Sequence, residues 1–256
     1  MTDMTLGQYQ LVYNAFSFTI AAMGAATLFF WMGRSQVSTH YKTALTITGL
    51  VTAIAFYHYV RIFESWDAAY TIVGGKLTVT GRPFNDAYRY VDWLLTVPLL
   101  LIELLLVMRL SEAETWSKGI RLGGLAALMV ILGYPGEIAS DSTTRWMWWA
   151  AAMVPFVVIV YDLYSGLGKS IASQPPSVRG LVEMARNLTV ISWCFYPVVF
   201  ILLMLGFSGG TSATAVQVGY TIADVLAKAV FGVLIYLIAV RKSEAEIGVA
   251  TKVVHA

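Results

Sequence analysis

Apolar residues fall along the chain in seven blocks of about 20 to 28 residues, separated by short polar stretches, and that is the length an α-helix needs to cross a bilayer. The blocks lie at 8–33, 43–65, 86–108, 119–138, 145–166, 180–206 and 213–240. They predict an all-α integral membrane protein, a bundle of seven transmembrane helices. Between the second and third blocks, YTIVGGKLTV sets two short β-prone runs around Gly74 and Gly75, which predicts a β-hairpin in an outer loop. The stretch 167–179, with Gly166 before it and Gly168, Pro175 and Pro176 within it, is the other clear break. No internal repeat or second domain is visible, so 1–256 reads as one membrane domain. The opening MTDMTLGQYQ has neither a basic n-region nor a small-residue cleavage site, and the first helix is expected to act as its own insertion signal.

Composition agrees with the pattern. Of 256 residues, 58% are apolar and 12% charged, and the mean hydropathy is +0.69; a soluble domain is about a quarter charged. Lys and Arg total 17 against 15 Asp and Glu with no basic run, so a nucleic-acid partner is not expected. The lone Cys194 excludes an intrachain disulfide and any CxxC site. An odd number of spans puts the termini on opposite sides. With the C-terminus inside, the cytoplasmic ends carry Arg34, Lys42, Arg109, Lys118, Arg121, Lys169, Arg179, Arg186, Arg241, Lys242 and Lys252, against Arg61, Lys76, Arg82 and Arg145 on the other face. The positive-inside bias therefore predicts an outer N-terminus.

Ionisable residues in mid-membrane are expensive and mark function unless they reach an interface. The third block holds Arg89, Asp92 and Glu103, the second His58, and the seventh Asp224 and Lys228. On a helix turning about 100° per residue, Asp92, Thr96 and Glu103 lie at roughly 0°, 40° and 20°, with Arg89 about 60° to one side, so they line one face. Glu103 is about 16 Å beyond Asp92 along the axis, the spacing of a relay rather than of a metal cluster, and no metal site is expected. Asp224 and Lys228 are neighbours at i and i+4. Packing the third helix on the seventh would set Lys228 and Arg89 against Asp92 and Asp224, two charges of each sign that cancel where any one alone is too costly to bury. Plainer readings stand beside these. Glu103 is six residues from Arg109 and fits a snorkelling residue, His58 alone fits a packing role, and a buried Lys–Asp pair can be structural. Lys228, with about a dozen mainly apolar residues on either side, cannot easily reach water. A neutral amine at that depth is the nucleophile that imine formation with an aldehyde requires.

Several segments, taken in order, resemble the microbial retinal-binding rhodopsins. They are RYVDWLLTVPLL at Arg89 to Leu100, ADVLAKAVFG at Ala223 to Gly232, AFYHY at 55–59, GYPGE at 133–137, MWWA at 147–150 and SWCFYP at 192–197. Within that family the chain is most similar to the proteorhodopsin and xanthorhodopsin-like group of bacterial proton pumps, from the first span to the last. The resemblance implies a light-driven outward proton pump of the bacterial inner membrane, with all-trans retinal on Lys228 as a Schiff base. It makes Asp92 the primary counterion and proton acceptor, Asp224 the second counterion, and Arg89 a residue of the exit side. Thr96 and Glu103 complete an Asp-Thr-Glu triplet in which Glu103 is the cytoplasmic donor, and His58 pairs with the counterion. Sodium-pump relatives carry Asn-Asp-Gln on this face, chloride pumps have a neutral acceptor position, and sensory relatives commonly lack the carboxyl donor.

The same resemblance assigns Trp93, Met129, Gly133, Trp149, Phe156, Trp193, Tyr196 and Pro197 to the retinal pocket, with Tyr59 and Tyr90 near the Schiff base. Without it, such an aromatic stripe reads as core. Leu100 stands where proteorhodopsins vary between Leu and Gln, and Leu resembles the green-absorbing type. Relatives that bind a carotenoid antenna have Gly in place of Trp149, so no such antenna is expected. GFSGGTSATAVQ carries no carboxylate, so the release glutamates of bacteriorhodopsin have no counterpart there. Glu137 matches an outer proteorhodopsin glutamate and equally fits a solvated helix end, which leaves the release route open. Membrane lipid and protons are the expected partners, and a homo-oligomer, pentamer or hexamer, is what the family suggests. A photosensor signalling through a partner is the alternative, although the tail RKSEAEIGVATKVVHA is short and holds no recognisable output domain.

Overall fold

The computed structural model describes residues 3–254, with side chains through Ile247. Among them, seven helices are long and apolar enough to cross a membrane. The first is α1 (Leu6–Gly33), opened by a capping box in which Thr5 and Gln8 satisfy each other's backbone N–H groups. The second is α2 (Lys42–Ala69). Strands β1 (Tyr70–Val73) and β2 (Lys76–Val79) follow, paired antiparallel with Tyr70 opposite Val79 and Val73 opposite Lys76. The two-residue turn needs φ of 57° at Gly74 and 76° at Gly75, which glycine adopts without a Cβ clash, and this is the predicted hairpin.

The third and fourth spans are α3 (Ala87–Met108) and α4 (Glu112–Ile138). The fifth, α5 (Ser142–Tyr161), continues through a wide π turn at Asp162–Gly166. A short helix, α6 (Gly168–Ala172), occupies part of the stretch read as a loop. The sixth span is α7 (Pro176–Met204). The seventh is built from α8 (Gly209–Asp224), a π turn at Val225–Val230 and α9 (Phe231–Val254).

Most helices run past the apolar blocks because caps, not hydropathy, decide where a helix starts. In α4, Ser111 Oγ accepts from Glu114 N and donates to its carboxylate, so the helix begins at Glu112 rather than near 119. In α7 the start at Pro176 uses a residue whose missing N–H costs nothing in a first turn. Asp141 caps α5, accepting from Thr144 N at 2.8 Å. The seventh span reaches Val254 rather than stopping near 240.

The second, third and seventh spans are the most buried, and the others turn large apolar side chains such as Phe18, Ile131, Val154 and Ile191 outward. In a bilayer that outer surface meets acyl chains, which demand no hydrogen bond. Close packing fixes the seventh span: a Cβ on Gly232 would fall 2.5 Å from Phe30 Cζ and 2.7 Å from Thr48 Cγ2, so only glycine lets α1 and α2 approach there.

Candidate functional site

α3 and the seventh span bring their ionisable residues together at the centre of the bundle. Lys228 Nζ donates to Asp92 Oδ2 at 2.7 Å and lies 3.1 Å from Asp224 Oδ1. All three side chains are almost fully buried, with residue exposures of 1–2%. Asp224 is held further by two phenols, Tyr59 OH to Oδ2 at 2.8 Å and Tyr196 OH to Oδ1 at 2.5 Å. Each Asp224 oxygen therefore has a donor. Asp92 differs: its Oδ1 has no hydrogen bond.

His58 lies on that open side. Its Nδ1 is 3.8 Å from Asp92 Oδ1 and 3.0 Å from the Ile54 carbonyl, so the ring faces the carboxylate while bonded to its own helix. Thr96 Oγ1 donates to the Asp92 backbone carbonyl at 2.8 Å, tying it to α3 itself. Glu103 is fully buried further along the same face, and neither of its carboxyl oxygens has a hydrogen-bond partner.

Arg89 departs from the expected four-charge cluster. It is buried, but its guanidinium forms its ion pair with Asp86 and donates to Gln217 Oε1 at 2.5 Å. It also lies over the Tyr220 ring at 4.8 Å. Asp86 is one turn away in the direction opposite to Asp92, and a guanidinium between them closes on the carboxylate that no lysine already occupies. Asp86 was not singled out because it is the first residue of the third block, where a carboxylate fits a solvated helix end, and Gln217 was not because a lone amide in a helix carries no signal. Glu137 is half-buried rather than solvated, and accepts from Tyr90 OH at 3.4 Å.

Beside Lys228 runs an apolar cavity of about 120 Å³. Tyr90, Trp93, Leu100, Met129, Gly133, Trp149, Phe156, Trp193, Tyr196 and Pro197, all predicted, line it with Lys228. Tyr59 does not; it serves Asp224 instead. Asp224 joins Lys228 at one end, and Val97, Val130, Ala152, Met153, Phe200, Tyr220 and Ala227 complete the wall, mostly small or aliphatic residues that no motif distinguishes from core. Trp149 is pinned by Nε1 donating to the Pro197 carbonyl at 3.2 Å, and a Cβ on Gly133 would lie 3.3 Å from the Tyr90 ring. An amine at the end of an apolar slot, facing two carboxylates, fits a rod-shaped apolar aldehyde held as a cationic imine.

At the end of the bundle where α3 finishes, Glu246 gathers Ser38, His40, Tyr41 and Arg109, and Lys242 Nζ caps the end of α3 through the Val107 and Met108 carbonyls. This knot was not foreseen, because its members lie beyond the apolar blocks.

Comparison with known proteins agrees with the architecture. The green-light absorbing proteorhodopsin of Gamma-proteobacterium EBAC31A08 is 34% identical over 236 residues, covering 90% of this chain and 88% of that protein. Among solved structures, xanthorhodopsin, described as a light-driven ion pump with dual chromophore, superposes with a TM-score of 0.93 at 48% identity, covering 96% of this chain and 98% of its own. A thermophilic rhodopsin gives the same TM-score at 44% identity, over 96% and 99% of the two chains. A model of the family described as Bacteriorhodopsin-like protein matches residues 11–242, and the chain belongs to that family of type 1 rhodopsins.

Proposed function

We propose that this protein is a light-driven outward proton pump of the bacterial inner membrane, with all-trans retinal held on Lys228 and its N-terminus outside. The observation that carries the reading is the position of Lys228 Nζ, between Asp92 Oδ2 and Asp224 Oδ1 at the end of an aromatic slot, with Glu103 apart on the same face of α3. Retinal supplies light absorption and a change of shape that reorients the proton on the Lys228 nitrogen.

The residues divide the remaining work. Asp92 accepts the proton at Oδ1, the one oxygen of the pair that no donor occupies, and His58 faces the same atom. Asp224, saturated by Tyr59, Tyr196 and Lys228, stays as the fixed anion. Glu103 resupplies the Lys228 nitrogen from the cytoplasmic side; buried without a charged partner, with only the Thr48 hydroxyl of α2 beside it among the groups that influence it, a protonated carboxyl costs far less than a carboxylate. Asp92 and Glu103 are separated by about 16 Å of helix, so the proton cannot pass directly between them and transport is vectorial.

Trp93, Met129, Gly133, Phe156, Trp193, Tyr196 and Pro197 shape the slot. Leu100, which lines it, places absorption in the green, and a purified pigment peaking in the blue contradicts that. Trp149 closes the wall where a carotenoid antenna would need a window. Energy transfer from added carotenoid to retinal overturns this.

The test is the light-induced pH change of an unbuffered suspension of cells expressing the protein with added all-trans retinal. Outward pumping acidifies the medium, and a protonophore abolishes the signal. Alkalinisation enhanced by the protonophore means another ion is carried; a coloured protein with no pH change supports a photosensor.

A further inference from the structure

The site carries an unbalanced charge: one ammonium, Lys228, faces two carboxylates, Asp92 and Asp224. The cation placed to cancel the excess is Arg89, one turn from Asp92 on α3 and itself buried. It is turned the other way. We propose that Asp86, assisted by Gln217, is a positioning residue that holds Arg89 on the outer side of Asp92, so that the proton acceptor keeps its excess negative charge. The inference rests on the pump reading above.

Three observations converge on Asp86. It precedes the first turn of α3, where an aspartate ordinarily accepts from the backbone N–H groups of the helix start, yet its side chain makes no cap bond. It forms the ion pair with Arg89 instead. Gln217, reaching across from α8, accepts from Arg89 Nη2 at 2.5 Å and donates to Asp86 Oδ2 at 3.3 Å, which closes a ring of three side chains. The Tyr220 and Phe16 rings, 4.8 and 5.8 Å from the guanidinium carbon, support that position from two sides. Neither Nε nor Nη1 of the guanidinium makes a hydrogen bond, so its contact with Asp86 is an ion pair alone and it is not saturated where it stands.

The charge arithmetic gives the arrangement its meaning. Matched with Asp86, Arg89 adds nothing net to the acceptor; released, it would find in Asp92 and Asp224 the nearest excess of negative charge and would make a proton less welcome on Asp92. The groups facing Asp92 are Lys228 and Asp224 from the seventh span and His58 from α2, with Tyr59 and Tyr196 bound to Asp224. Those facing Arg89 are Asp86, Gln217 and Tyr220, with Tyr59 of α2 and, from α4, Glu137, whose own cationic neighbour is Arg145 of α5. Replacing Asp86 leaves every group that faces Asp92 in place, and among those that face Arg89 only Gln217 contacts it.

The experiment is a visible-absorption pH titration of the full-length protein loaded with retinal, in which the acid colour change reports protonation of Asp92. Asp86→Asn is expected to lower the midpoint by on the order of one pH unit, and Asp86→Glu to leave it near the parent value. In an Arg89→Gln background the Asp86→Asn shift should shrink to less than half, because its route is the position of the arginine. An unchanged or raised midpoint overturns the proposal, as does a shift of equal size in the Arg89→Gln background. Should Asp86→Asn form no pigment, Gln217→Met decides: a lowered midpoint supports the clamp, and none refutes it. A parent protein that forms no pigment sinks the pump reading instead.

Discussion

Asp92 and Glu103 are carboxyl groups on one face of one helix, and their surroundings differ as far as two buried sites can. Asp92 faces an ammonium at 2.7 Å, a second carboxylate bound to the same ammonium, and an imidazole at 3.8 Å. Glu103 is fully buried with neither oxygen hydrogen-bonded. A charged environment suits a group that exists as an anion until it takes up a proton; an apolar one suits a group that keeps its proton until a base appears. The side chain does not distinguish the two ends of the proposed path. The neighbours do.

Substitutions break this comparison in graded steps. Lys228→Ala removes the centre of the charged half, so no covalent pigment should form, read as absence of a visible band after retinal is added. That variant also leaves two carboxylates without their cation, and loss of one partner from a buried pair costs about 3–5 kcal/mol. Its thermal unfolding should therefore shift downward. Asp92→Asn keeps the lysine and the slot but removes the proposed acceptor, so the pigment should form while light-driven acidification falls to background. Glu103→Gln should leave pigment and first proton transfer intact and slow the resupply of the Lys228 nitrogen on the order of a hundredfold, the usual worth of a positioned acid. Flash kinetics unchanged across pH would remove Glu103 from the path.

The smallest effect lies outside the bilayer. Asp141 accepts from Thr144 N at the start of α5, and these backbone N–H groups hold its carboxyl below the usual carboxylate range. A depressed carboxylate stabilises the fold above its unfolded value and loses that contribution as pH falls through the folded one. The protection of the Thr144 amide, relative to its intrinsic exchange rate, should fall in acid, and Asp141→Asn should reduce that pH dependence. The resting pair Lys228–Asp92 has no such exposed analogue, which sharpens the contrast between buried charge and a solvated cap.

What the sequence made legible follows from what it writes down directly. Bilayer-deep runs of apolar residues are unmistakable, so all seven spans and the glycine turn at Gly74–Gly75 were foreseen. Helix ends were less so, since Ser111 and Pro176 act through local hydrogen bonding and φ, to which hydropathy is blind. Lys228, Asp92 and Asp224 stood out as charges in an apolar setting, and the helical spacing brought them together correctly. Arg89 was placed in the wrong partnership because two acids competed for it, and only three-dimensional packing, with Gln217 arriving from α8, decides between them.

The wide turn at Val225–Val230 has a consequence for how this helix tolerates change. A π turn is the local shape left when one extra residue is accommodated within a helix without being propagated along it. Upstream of it Asp224 keeps its phase toward Tyr59 and Tyr196, and downstream Lys242 keeps its phase toward the end of α3. Deleting one residue from the turn would be taken up by tightening it to an ordinary α turn, so that Asp224 and Lys242 keep their phases, whereas the same deletion in a regular stretch of the helix would rotate everything beyond it by about 100°. The two halves of the seventh span thus have separate angular clocks, and the turn that carries Lys228 is where they are set against each other.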